Sequence, residues 1–402
     1  MTNVVVFGMT FGDEGKGKIV DFLADNADWV VRYNGGGNAG HTLKIDGKKI
    51  VLHYMPSGII RKKKCIIGHG CVVSLDAIRK EMEDVRNFGI EPLDYLRIAN
   101  NAHLVLPNIK EDGVSASTSR GIAPTYKNKY ARTGLRAIDL VHAQNFDNDE
   151  KRELFNQYHS YLKKHSDLIP ILTHCHKEIN DAIDNGKNIL FEGAQGFGLG
   201  IDDGQYPFVT SSSPGVSGVL TGAGIGPKKI DKVIGVFKPY VTRAVDKAAP
   251  IIAEMDEKLS SEIREIAGEY GATTGIARRI GWLDIPQLKL AAKLNNVDGM
   301  VLTKLDILDY LDEIKICVAY DLGGEKIDIN PCDGYIEHKC KPILEVLPGW
   351  KGEIVVNAKT FEELPENAKR FVNKIEDLVG VKIVMISNGA ERDKTIIKEK
   401  VW

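Results

Sequence analysis

A single large α/β domain, built around a mainly parallel central sheet with helices on both faces and long ligand-binding loops, is the fold class the sequence predicts. Three observations predict it. Apolar strand-like runs and amphipathic helix-like runs alternate to the end of the 402 residues, the pattern of strand–helix–strand crossovers. Internal repeats, low-complexity tracts and Pro/Ser/Gly linkers are absent, so residues 1–402 read as one domain although the length alone would allow two. Several strand-like runs end in glycine-rich polar loops, and in an open α/β sheet ligands bind outside the carboxyl ends of the strands.

The first element is the most informative. Val4-Val5-Val6-Phe7 is a β-branched apolar run, Gly8 to Gly17 is a loop rich in glycine, and the stretch after it is amphipathic. Glycines at 8, 12, 15 and 17 let backbone N–H groups converge on an anion, and a helix starting near Gly17 aims its positive end at the same place. Gly12 to Lys18 fits the first seven positions of the pattern G-x-x-x-x-G-K, but the eighth, where a hydroxyl would ligate Mg²⁺, is Ile19. Asp13 stands among the phosphate-binding amides instead, placed to act as metal ligand or as base.

Asp28 to Tyr33 reads as a second buried strand, ending in the glycine loop Asn34 to Thr42. Lys44 to Tyr54 has the alternation and the Asp46-Gly47 turn of a hairpin, and Lys63 to Val73 reads as a strand. Leu75 to Phe88 reads as a helix. Asn101 to Tyr130 is turn-rich, and within it Ser115 to Pro124 has too few apolar residues for core, so a functional surface loop is expected. Glu150 to His165 and Leu172 to Asn185 have helical patterns, and Asn188 to Gly196 runs from strand into polar loop. Tyr206 to Gly215 is a hydroxyl-rich loop, Lys232 to Val241 a strand, and Ser260 to Tyr270 a helix capped by Ser260. Gly271 to Arg279 is a further polar loop. Ile285 to Leu294 is a helix feeding the strand Gly299 to Thr303, which ends in Lys304-Leu305-Asp306. Strands at Ile314 to Ala319 and Ile354 to Val356, a helix from Phe361 to Val379 and a last strand from Val381 to Ser387 complete the order, with Asn388-Gly389 after it.

Composition narrows the function classes. Lys+Arg number 53 against 55 Asp+Glu, a net charge of −2, so no global basic field attracts nucleic acid and any anionic ligand is held locally. The six cysteines show no C-x-x-C pair, and reduced thiols in a cytoplasmic protein are expected. His174-Cys175-His176 is the one tract with metal-ligand residue types, and adjacent ligands on one short segment rarely converge without partners. No apolar run approaches the ~20 residues that span a bilayer, and the chain starts on a strand, so neither membrane anchoring nor export is expected.

Lys304-Leu305-Asp306 after an apolar strand resembles the guanine-reading arrangement of GTP-binding proteins, in which an Asp accepts from groups that adenine lacks. Taken together, the motifs resemble the adenylosuccinate synthetase family. They are Gly12 to Lys18, Asn38 to Thr42, Arg120-Gly121-Ile122, Phe191 to Gly196, Tyr206 to Ser212, Ala272 to Gly275, Gly281 to Asp284 and Leu302 to Asp306, in family order over almost the whole chain. The resemblance implies a GTP- and Mg²⁺-dependent ligase that joins IMP to L-aspartate through a 6-phosphoryl-purine intermediate, the first committed step from IMP to AMP.

By the same resemblance, Asp13, His41, Lys16 and Gln195 are catalytic, Asp13 as base and His41 as acid. Mg²⁺ would be held by Asp13 and the Gly40 carbonyl. GTP would be contacted by Gly12, Glu14, Gly15, Lys16, Gly17 and Lys18, by Gly40, His41 and Thr42, and by Arg278, Lys304, Leu305, Asp306, Ser387, Asn388 and Gly389. IMP would be contacted by Asp13, Glu14, Gly15 and Lys16, by Asn38, Ala39, Gly40 and His41, and by Thr118, Gln195 and Thr210, with Arg132 reaching in from the neighbouring subunit of a homodimer. Aspartate would meet Ala272, Thr273, Thr274, Gly275 and Arg278.

The sequence departs from the family pattern at Ile276, where an arginine bridging the ribose 2′-hydroxyl and the aspartate carboxylate is usual. It departs also at Gly37, where a histidine is usual, at Ser119, where glycine is usual, and over residues 246–254. Beside the IMP–aspartate ligase stands a paralogous ligase for another purine (deoxy)nucleotide or amino acid. A GTP-dependent switch protein is the reading from another class, and Ile19 in place of the switch hydroxyl speaks against it.

Overall fold

The computed structural model describes residues 2–45, 47–109, 120–141, 149–244, 248–271 and 275–402. Of the sequence expectations, Asp46 of the hairpin turn, Ser115 to Ser119 with Thr118, Asp246-Lys247, and Ala272, Thr273 and Thr274 lie outside these residues.

A ten-stranded sheet runs through the molecule in the order 395–397, 383–387, 299–302, 232–237, 4–8, 189–192, 29–32, 64–67, 96–99, 172–173. Every neighbouring pair is parallel except the edge pair of Ile383–Ser387 with Thr395–Ile397. Val4–Gly8 lies near the middle and is buried along its whole length, as a strand covered on both faces must be. A second, five-stranded sheet is mixed and contains Tyr240–Arg243, Arg279–Asp284, Glu313–Leu322, Glu325–Ile327 and Lys341–Pro348. The mainly parallel α/β class is thus observed.

Several boundaries differ from the sequence expectation, each for a local reason. The run 63–73 splits into Lys64–Ile67 and Val72–Val73, because the chain between them packs against Tyr33; a Cβ on Gly70 would lie 2.1 Å from the Tyr33 carbonyl oxygen. The run 232–241 splits at Pro239, which lacks a ladder donor, and its second half, Tyr240–Arg243, joins the other sheet. Leu172–Thr173 pairs at the sheet edge, so the helix begins only at Cys175. The helix expected from Ser260 is Glu257–Ala267, capped by Asp256, whose carboxylate accepts the Leu259 N–H at 3.0 Å. Pro365 is the N-cap of the helix Glu366–Val379, so Phe361 precedes it, and Ile354 to Val356 is a 3₁₀ turn region rather than a strand. Ile122–Ala131 is a helix within the supposedly turn-rich region, its polar composition having concealed it.

The parallel strands deliver Gly8, Arg32, Glu192, Phe237, Leu302 and Ser387 to one edge of the large sheet. Loops from opposite ends of the chain therefore converge there.

Candidate active site

A cavity of about 1200 Å³ opens at that edge. It exceeds the roughly 300–1,000 Å³ that suits one drug-sized ligand, so it has room for several substrates.

The loop after Val4–Gly8 forms one wall. Asp13 adopts φ 58°, between Gly12 and Gly15 at 89° and 81°. A left-handed conformation costs a non-glycine residue roughly 1–2 kcal/mol and persists only where neighbours enforce it. Glu14 is the enforcer. Its carboxylate accepts from the Thr10 N–H at 3.2 Å, the Thr10 hydroxyl at 3.0 Å, the Gly12 N–H at 2.8 Å and Lys16 Nζ at 2.6 Å. Burial works to raise its pKa, but Lys16 and these donors outweigh burial and hold it below the usual range. A Cβ on Gly8 would lie 2.3 Å from Glu14 Oε2, so only glycine leaves room for this carboxylate. The helix Lys16–Leu23 starts here without a side-chain cap, and Gly15, Lys16 and Gly17 line the cavity, a ready anion site.

His41 lies opposite. Its Nδ1 is hydrogen-bonded to Glu192, leaving Nε2 as the other ring nitrogen toward the cavity that His41 lines. Glu192 is fully buried and also accepts the Ser57 N–H and hydroxyl at 2.7 Å each, with Arg32 Nη1 at 3.5 Å. Burial opposes its ionisation, yet His41, Arg32 and Ser57 together bring its pKa below the usual value. His41 itself is lowered to about 4, by burial first and by Arg32 second, with Glu192 pulling the other way. In the ligand-free protein it is neutral at pH 7.

Between these walls Asp13 meets Arg278, Oδ2 to Nη2 at 2.9 Å. Arg278 Nη1 turns to the buried Glu269 at 2.6 Å. Lys304, a non-glycine residue at φ 56°, donates to Glu269 as well. Lys18 spends its three donors on Ser387 Oγ, the Gly389 carbonyl and the Lys394 carbonyl, at 2.7, 2.8 and 2.7 Å. It therefore organises the C-terminal loop, and burial lowers its pKa to about 8 despite nearby Asp306. Burial likewise raises the pKa of Asp306 at the cavity wall.

Asn38 and Gln195 each carry a buried polar atom without a partner, Oδ1 and Nε2 respectively, and both residues line the cavity. Such orphaned atoms suit a polar ligand. Ala39, Gly40, Thr42 and Thr210 also line it, as do Ser387 and Gly389.

Other expected contact residues face elsewhere. Glu14 is turned inward, so its side chain does not reach the cavity. Leu305 is core, and Asn388 donates to the Val355 and Ala358 carbonyls at 2.7 and 2.9 Å. Gly275, at φ 65°, makes a turn, its N–H on the Gly271 carbonyl. Arg132 is exposed at the C-cap of Ile122–Ala131 and does not line this cavity. Cys175 is buried against the Ala223 carbonyl, and among the described residues no three His, Cys, Asp or Glu side chains gather as a metal site.

Comparison with known proteins gives the family. The adenylosuccinate synthetase family model matches residues 5–396. The chain belongs to the adenylosuccinate synthetase family. Adenylosuccinate synthetases of Ligilactobacillus salivarius and Thermodesulfovibrio yellowstonii are each 42% identical, over 431 and 428 residues, covering 100% and 99% of this chain and 99% of each relative. The structure of fully ligated adenylosuccinate synthetase from Plasmodium falciparum is 35% identical, with TM-score 0.88, covering 99% of this chain and 100% of that one. A cyanophage S-2L succinoaminodeoxyadenylate synthetase bound to dGMP and dATP shares the fold at TM-score 0.60, with 16% identity and cover of 99% and 95%.

Sequence reasoning had given no role to Glu192, Arg32, Glu269, Lys238 and Arg243, all charged and all buried here. Their signal was present in part: Arg32, Glu192 and Arg243 are charges at the ends of apolar strands. At Gly37, one of the departures from the family pattern, a Cβ would lie 2.5 Å from the Tyr54 hydroxyl, so the packing here leaves no room for a side chain.

Proposed function

We propose that this chain, acting as one domain over residues 1–402, is a C–N-forming ligase that uses GTP to join IMP to L-aspartate, giving adenylosuccinate, GDP and phosphate on the route to AMP. What carries the reading is one cavity that unites an anion-binding helix start, the Asp13 carboxylate, the His41–Glu192 pair and the Lys304–Asp306 strand end.

The purine 6-oxo group is a poor leaving group, so it is phosphorylated first. Asp13 takes the purine N1 proton, which lets O6 attack the γ-phosphoryl group. His41 is neutral in the free protein, but the negative charge of a bound triphosphate raises its pKa, and Glu192 holds the resulting imidazolium in place. Its Nε2–H then stabilises charge on the transferring oxygens. The aspartate amine displaces phosphate. Lys16 and Gln195 complete the catalytic set, Gln195 through its unpartnered Nε2.

The residues fit Mg²⁺, since the Asp13 carboxylate and the Gly40 carbonyl are hard oxygen donors and both residues line the cavity. Bound there, the ion would neutralise phosphate charge. Asp13 must loosen its bond to Arg278 to serve it.

GTP lies along Gly12 to Lys18, Gly40 to Thr42, Arg278, Lys304 to Asp306 and Ser387 to Gly389, with Lys18, Leu305 and Asn388 shaping the walls. IMP lies against Asp13, Gly15, Asn38, Thr118, Gln195 and Thr210. Thr273, Thr274 and Arg278 hold aspartate. Arg132, turned away from its own cavity, reaches that of a second copy in a homodimer. The compartment is the cytoplasm.

The test incubates the protein with GTP and Mg²⁺ and crosses IMP, dIMP, GMP and dGMP against several amino acids, with products identified by mass spectrometry. Adenylosuccinate from IMP and aspartate is expected. Product from a deoxynucleotide or another amino acid would reassign the acceptor or the amine, and GTP hydrolysis indifferent to both would overturn the ligase reading.

A further inference from the structure

We propose that Glu269 is a positioning residue that ties the Lys304 end of the cavity to the catalytic carboxylate of Asp13 through Arg278, an inference that rests on the ligase reading above. Glu269 is fully buried and does not line the cavity, so it touches no substrate. Its two carboxylate oxygens divide their partners. Oε1 accepts from Lys304 Nζ at 2.6 Å, Tyr240 hydroxyl at 2.8 Å and Lys238 Nζ at 3.0 Å, whereas Oε2 accepts from Arg278 Nη1 at 2.6 Å. The far side of that guanidinium, Nη2, holds Asp13 at 2.9 Å. A continuous chain of charge-assisted bonds thus runs Lys304–Glu269–Arg278–Asp13.

The backbone stiffens the central link. The Arg278 N–H donates to the Glu269 carbonyl at 3.0 Å, and Tyr270 pairs with Ala277 in an antiparallel bridge. Glu269 therefore fixes Arg278 by main chain and side chain together.

Charge explains why the arrangement matters. One carboxylate faces three cations, Lys238, Lys304 and Arg278, and Lys238 is itself fully buried, donating also to Thr242 Oγ1 at 2.6 Å and lying 4.9 Å from the centroid of the Tyr240 ring. Arg278 consequently has two anions to choose between, one buried and fixed, the other, Asp13, partly exposed to the cavity. When Asp13 is drawn to substrate or metal, Arg278 keeps a partner and stays in place. Without Glu269, Arg278 would lose the fixed anion that keeps it in place when Asp13 moves, and Lys304 would lose its anchor.

The experiment compares wild type, Glu269→Gln, Lys238→Met and the double variant Glu269→Gln/Lys238→Met in steady-state kinetics, GTP titration calorimetry and thermal unfolding. The double variant removes the buried cation that Glu269 also neutralises, so it separates folding from positioning. Its Tm is expected to recover toward wild type relative to Glu269→Gln. Its KM and calorimetric Kd for GTP are expected to stay raised about tenfold, with kcat lowered to a similar degree, the scale of one charge-assisted bond. A double variant with wild-type GTP affinity and turnover would overturn the positioning role and leave Glu269 as a counter-ion for Lys238. A wild type that binds GTP yet ligates nothing would overturn the ligase reading alone, while the binding comparison would still decide the role of Glu269.

Discussion

Two sets of buried carboxyl groups in this molecule are about equally removed from water and behave in opposite ways. Around the cavity, Glu14, Glu192 and Glu269 are all lowered in pKa, although burial is the largest influence on each and works to raise it. At the second sheet, Asp284 is raised to about 6 and Glu337 to about 8, again with burial the largest influence. The difference lies in the partners. The cavity carboxylates meet Lys16, Arg32, and Lys238 with Lys304 and Arg278. Asp284 instead accepts from the Tyr320 hydroxyl at 2.6 Å and the Gln287 N–H at 3.0 Å, and Glu337 accepts from the Gln205 amide. Neutral donors do not offset the desolvation of a charge, whereas cations do. Ionised carboxylates at the sheet edge hold basic groups in fixed positions, a preorganised field for phosphate chemistry. Glu337, with its pKa above neutrality, bonds the Gln205 side chain beside the bridge between Tyr206 and Asp333.

Replacing Asp13, the exposed carboxylate that faces the same cavity, should have the largest effect. Asp13→Asn keeps the shape of the loop but removes the base, and product formation should fall roughly 10²–10⁴-fold while GTP binding by calorimetry persists; retained turnover would remove Asp13 from that role. Glu192→Gln tests whether a buried cavity carboxylate must be charged. It deprives His41 and Arg32 of their anion, and kcat should drop about 100-fold, near 2.7 kcal/mol at the transition state, with the Gly12–Lys18 phosphate loop unaffected in GTP affinity. Turnover equal to wild type would show that the pair only packs.

The smallest effect is expected from the other set, and it is on stability rather than rate. Glu337 has a folded-state pKa above its unfolded value, so the native state binds more protons. Its contribution is complete below the unfolded pKa of 4.5 and is lost as pH rises toward about 8. Glu337→Gln should therefore flatten the fall of Tm across that window, whose slope for one group is at most ~1.4 kcal/mol per pH unit. An unchanged Tm–pH profile would mean the carboxyl is ionised in the native state and that burial does not dominate there.

Legibility in the sequence followed the range of the interactions. The opening strand, loop and helix were readable because apolar β-branched residues, glycines and lysines act within a few positions of one another, and the structure puts Gly12 to Lys18 at the sheet edge as that pattern implies. The strand Gly299–Leu302, just before Lys304, was readable for the same reason. The helix Ile122–Ala131 was not, since its buried face includes the polar Thr125 and a proline, which leaves Ile122 and Tyr126 too few to read as an apolar stripe. The second sheet escaped too, because Arg279–Asp284 and Lys341–Pro348 become strands only by pairing with distant partners.

The sequence by itself determined the α/β class, the anion-binding loop and the family, because periodicity and motif order are properties of the chain read along its length. The tertiary structure alone decided what each charged residue faces. Lys18, on the cavity wall, is bonded to the 387–394 loop, the Glu14 side chain clamps the loop from within, and Glu269 carried no signal yet joins three cations. The physical reason is that the role of a charge is set by its partners and its distance from water, and here those partners lie as far apart in sequence as residues 18 and 387.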